Sequence, residues 1–131
     1  MKKALAELRF KEMRTPLPGS VTRGDDLDAW LERSRDRDLR VRARAAQYLC
    51  PCHTKSNLVH VWERVLDMTS DPDARVRGAA FHLIGDGSPK ELAPRIVEVL
   101  EAMYHDPDAK LRRRVRRLLA HYRRTGVLNI L

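Results

Sequence analysis

The residues best suited to chemistry stand together in the stretch Cys50-Pro51-Cys52-His53. Two thiols and an imidazole this close offer soft ligands for zinc or copper(I), with His82 or His121 as a further donor, or a dithiol for redox exchange. The spacing weighs against both. Zinc sites favour two residues between paired cysteines, because one intervening residue strains two thiolates around a tetrahedral ion, and no second pair exists. Pro51 ends a helix, and free cysteine packs as a small hydrophobe. The stretch is therefore expected to be a helix stop with buried sulfur, without metal or other cofactor; Cys50, Cys52 and His53 remain the alternative ligand set. Other constellations carry less. "GDGSP" at 85–89 lacks the lysine-threonine of a phosphate loop and reads as helix cap, turn and new cap. Ser88 has no aligned base and acid, and Trp30 and Trp62 fall on inward stripes. The chain is expected not to be an enzyme.

The elements that must position any site follow from an internal repeat. "DRDLRVRARAAQYL" opens at Asp36, "DPDARVRGAAFHLI" at Asp71 and "DPDAKLRRRVRRLL" at Asp106, 35 residues apart each time. In each copy the apolar residues recur every four positions: Val41, Ala45, Leu49; Val76, Ala80, Ile84; Leu111, Val115, Leu119. That period is one stripe of an α-helix, and the opening Asp-x-Asp supplies its cap. A partner helix precedes each, marked by Leu27, Trp30 and Leu31, by Val59, Trp62, Val65 and Leu66, and by Leu92, Ile96, Val99, Leu100 and Met103. Pro94 suits a first turn. The N-terminal segment carries its own stripe of Ala6, Phe10 and Met13. The expectation is one all-α domain over 1–131: an N-terminal capping helix and loop at 1–24, helical hairpins at 25–56, 57–89 and 90–126, and a tail at 127–131.

This pattern resembles the HEAT-repeat family, in the short bacterial form whose units open Asp-Pro-Asp-x-x-Val-Arg. The resemblance covers about residues 25–125. It implies an α-solenoid of about three hairpins that works as a scaffold or binding surface, with second helices lining the concave side. It also implies a structural ladder in which Asp38, Asp73 and Asp108 bond Arg42, Arg77 and Arg112.

The arginines left over define the candidate surface. With Val41, Ala45 and Leu49 turned inward, the outward face of that helix holds Arg40, Ala43 and Gln47. One period on stand Arg75, Gly78 and His82, and another period gives Lys110, Arg113 and Arg117, with Arg124 beyond. Arg40, Arg75, His82, Lys110, Arg113, Arg117 and Arg124 are the candidate binding residues, and small residues at 43 and 78 leave room for close approach. "KLRRRVRRLLAHYRR" contains no acid, so its cations repel one another until a counter-charge arrives. The partner expected is a protein with an acidic surface or another polyanion. Nucleic acid is the alternative, but Tyr122 is the sole nearby aromatic for stacking bases and no base-reading module is present.

Bulk properties agree. The net charge is +8, with 8 basic against 2 acidic groups in residues 106–131 and 6 against 2 in residues 1–23. An excess so placed points to an anionic partner. Two cysteines one residue apart fit a reducing compartment, and no apolar run reaches membrane-span or signal length, so the expectation is cytoplasmic, without membrane. Gly126 should end the last helix. Val127, Leu128, Ile130 and Leu131 then either fold back over the end of the stack or dock on a second copy, giving a monomer or a weak dimer.

Overall fold

The structure is a computed structural model and describes residues 24–49 and 59–128. All regular structure among them is helical: α1 (Gly24–Arg33), α2 (Leu39–Tyr48), α3 (Val59–Met68), α4 (Ala74–Gly87), a 3-10 turn (Lys90–Leu92), α5 (Ala93–Ala102) and α6 (Ala109–Thr125). The Asp-x-Asp motif builds the start of α2, α4 and α6 by the same chemistry. Its first carboxylate accepts the N–H of the third residue, at 2.9 Å in Asp36–Asp38, Asp71–Asp73 and Asp106–Asp108. The third residue is extended and caps the helix: Asp38 accepts from the N–H of Arg40, Asp73 from Arg75 and Asp108 from Leu111, at 2.8, 2.8 and 2.9 Å. Helix donors that would otherwise lack partners are thus satisfied locally.

Each pair packs α1 on α2, α3 on α4 and α5 on α6, while α2 lies against α4 and α4 against α6. The apolar stripes read from the sequence form this core. Val41, Ala45, Leu49, Val76, Ala80, Ile84, Leu111, Val115 and Leu119 are all buried, as are Trp30, Trp62, Ile96 and Leu100. Trp30 stacks parallel on Tyr48 at 4.3 Å between ring centres. Val59 departs from its expected stripe: it is exposed at the start of α3, and Val61 and Met68 fill the core instead.

The arginines of the first two motifs are bound by the first aspartate of the following motif, Asp71 or Asp106, which corrects the expected ladder. Arg42 holds Asp71 through Nε at 2.8 Å and Nη2 at 3.1 Å, and Arg77 holds Asp106 at 2.9 and 3.0 Å. In each case Nη1 donates to two carbonyls of the preceding turn, those of Asp36 and Arg37 or of Asp71 and Pro72. Asp38 and Asp73 instead cap their own helices and pair with Arg40 and Arg75, and Asp108 caps α6. Arg112 repeats the bond to the carbonyl of Asp106 at 2.8 Å without a carboxylate partner among the described residues. Burial pushes the Asp106 carboxyl up, but the Arg77 bond and the Asp108 N–H outweigh it and hold it below the usual carboxylate range.

One boundary also differs from expectation. Helix α4 continues through Gly85, Asp86 and Gly87, so this stretch is a last turn rather than a cap and turn. Pro89 sets the end: it forces Ser88 into extended backbone, with ψ at 142°. Helix α6 runs on through residues 120–123 to Thr125. Pro94 falls in the first turn of α5, as expected, after the short 3-10 turn. Gly126 ends α6 in the left-handed region at φ 72°, and Leu128 is buried while Val127 is exposed. The N-terminal helix expected at 1–24, the Cys50-Pro51-Cys52-His53 stretch, Ile130 and Leu131 lie outside the described residues, apart from Gly24.

Candidate polyanion-binding face

Helix α6 carries eight of the chain's 26 basic residues, and the fold divides them into two sets. Four have partners. Arg112 bonds the Asp106 carbonyl, Arg114 lies over the Phe81 ring at 5.1 Å, and Arg123 pairs with Glu101 at 3.8 Å. Arg116 covers the Tyr104 ring at 4.3 Å and donates to the Tyr104 carbonyl at 3.0 Å. The other four, Lys110, Arg113, Arg117 and Arg124, are exposed and have no ion pair or side-chain bond among the described residues. Their spacing of three, four and seven residues places them within about 60° of each other around the helix. Sequence reading picked out this set because the core stripe of Leu111, Val115 and Leu119 fixes which way the helix faces.

The same face of α2 and α4 is differently charged. Arg40 and Arg75 line one hollow of about 190 Å³, together with Ala43, Arg44 and Gln47. Each guanidinium returns to its own capping aspartate, Arg40 to Asp38 at 3.3 Å and Arg75 to Asp73 at 3.4 Å. Burial pushes both carboxyls up, but bonds from the arginine and its backbone N–H outweigh it, and both titrate below the ordinary range. Asp38 and Asp73 therefore stay ionised and offset their neighbours. With Arg40 36% and Arg75 68% exposed, such pairs are worth about 1 kcal/mol or less, so either arginine is free to exchange toward a stronger anion.

Gly78 and His82 stand on the same face of α4; a Cβ added at Gly78 would meet nothing within 4 Å. Arg44 was missed by the sequence reading although it lies one turn from Arg40. It lines the hollow, bonds Gln47 at 3.1 Å and the Tyr48 hydroxyl at 3.3 Å, and covers the Tyr48 ring. Tyr122, the candidate for stacking bases, is half-buried and packed against the core.

Among the described residues no three His, Cys, Asp or Glu side chains converge as metal ligands. Of the possible donors beside Cys50, Cys52 and His53, His82 is exposed and His121 half-buried. No described helix is long and apolar enough to cross a membrane. No protein-family model matches the chain, and no curated protein or solved structure shows significant similarity to it.

Proposed function

We propose that this chain is a HEAT-repeat α-solenoid acting as a non-enzymatic adaptor, and that its second-helix face binds an acidic segment of a partner protein. The fold assignment rests on three Asp-x-Asp helix starts of one geometry, 35 residues apart, and on second helices packed in series. The function rests on the unpartnered stripe Lys110, Arg113, Arg117 and Arg124. Like charges one turn apart on a helix cost about 0.2–0.5 kcal/mol per pair, and an external run of carboxylates converts that cost into attraction. Arg40 and Arg75 extend the surface at lower net charge, and Ala43 and Gly78 let the partner backbone come close.

Fluorescence anisotropy with a labelled glutamate-rich peptide and a labelled DNA duplex, at two salt concentrations, tests this reading. The account expects saturable, salt-weakened binding of the peptide. Absence of peptide binding at low salt contradicts it. Tighter binding of the duplex, with log K falling against log salt at a slope of about −3 to −4 for four phosphate contacts, assigns the same residues to nucleic acid instead. Tyr122 is half-buried against the core, which leaves that alternative only part of one ring for stacking.

A further inference from the structure

A hollow lies between the second and third helix pairs, away from the basic stripe. Its volume is about 570 Å³, and its walls include Asp67, Thr69, Ser70, Arg95, Val99 and His105. One repeat earlier, the corresponding place holds a side chain of the protein itself. There Arg64 reaches from α3 onto the turn after α1, with Nε 2.8 Å from Ser34 Oγ and Nη2 2.7 Å from the Ser34 carbonyl. Thirty-five residues on, Arg64 becomes Val99 and Ser34 becomes Thr69. The acceptors survive the exchange. Thr69 Oγ1 donates to the Leu66 carbonyl as Ser34 Oγ donates to that of Leu31, so the two hydroxyls sit in the same register. Both residues are buried.

The repeat therefore retains a guanidinium seat while losing the guanidinium. Of the other cations nearby, Arg77 is held by Asp106, and Arg95 makes an exposed pair with Glu63 at 3.4 Å rather than a bond to Thr69. Asp67 adds an exposed carboxylate to the wall. Acceptors without donors select a cationic donor, and a hollow of this size admits a long side chain with its flanking peptide. We propose that this hollow takes an arginine side chain presented by a partner polypeptide, whose guanidinium makes on Thr69 the bonds that Arg64 makes on Ser34.

The test is a titration of the isotope-labelled full chain, followed by amide chemical shifts, with N-acetyl-arginine methylamide and with its neutral citrulline analogue. The expected result is saturable shifts at Thr69, Ser70 and Val99 through the millimolar range, several-fold weaker with citrulline. Val99→Arg should abolish them by placing a tethered guanidinium in the seat. Thr69→Val, which removes the hydroxyl acceptor, should weaken them and serves alone should Val99→Arg fail to fold. Absence of saturable shifts, equal response to citrulline, or an undiminished response in a folded Val99→Arg or Thr69→Val variant overturns the proposal.

Discussion

Asparagine substitution separates the two jobs that the structure gives to the aspartates of each motif. In Asp106→Asn the side chain can still accept the Asp108 N–H, now at 2.9 Å, but one of its two positions facing Arg77 becomes an amino group. Arg77, with an 11% exposed side chain, keeps its carbonyl bonds at 2.9 and 3.1 Å and loses its counter-charge. Removing one partner of a buried ion pair costs 3–5 kcal/mol, and the retained carbonyl bonds place this case near the lower end, about 3 kcal/mol. Asp71→Asn should act similarly through Arg42. Asp73→Asn should cost only about 0.5 kcal/mol or less, because asparagine caps a helix about as well as aspartate. Urea unfolding of the full chain, followed by far-UV circular dichroism, compares the variants directly. Equal losses for Asp73→Asn and Asp106→Asn, or a loss for Asp106→Asn no larger than the roughly 1 kcal/mol of an exposed pair, would refute the assignment of rung and cap.

The same carboxylates set the acid limit. Asp38, Asp73 and Asp106 are all held below their ordinary range, so their contribution is complete above the unfolded value of about 3.9 and is lost as pH falls through the lower folded values. Urea midpoints should fall below that pH, and less steeply in Asp106→Asn; a flat acid limb in the wild type would count against the linkage. Gly78→Ala should raise the unfolding midpoint, since alanine is favoured over glycine within a helix by about 0.5–1 kcal/mol and its methyl meets open space. The same change should weaken peptide binding; unaltered affinity would show that no partner backbone approaches Gly78.

Much of the architecture was legible because the repeat is regular. A 35-residue spacing with four-residue apolar steps determines which faces are buried, and Val41, Val76 and Leu111 obey it. The exposed stripe on α6 followed as its complement. Distinguishing the two aspartates of each motif was harder, since sequence alone does not say which carboxylate the cap consumes. Arg77 passes over Asp73, four residues before it, for Asp106 of the next motif, and only the packing of successive turns brings Asp106 within 2.9 Å. Gly85 and Gly87 misled as stop signals because Pro89 constrains the backbone more strongly than glycine relaxes it. The Val99 hollow depends on a comparison between repeats that local motifs do not invite.

Two double charge reversals measured against the labelled glutamate-rich peptide address the binding surface most directly. Arg113→Glu/Arg117→Glu strikes the unpartnered stripe, whereas Arg37→Glu/Arg123→Glu alters exposed arginines outside it; both lower the net charge equally from +8. With helicity unchanged in both, the stripe variant should lose affinity by at least about tenfold, or 1.4 kcal/mol, while the control stays within about twofold. Equal losses would mean that overall charge rather than the α6 stripe attracts the peptide, and no loss in the stripe variant would contradict the proposed surface.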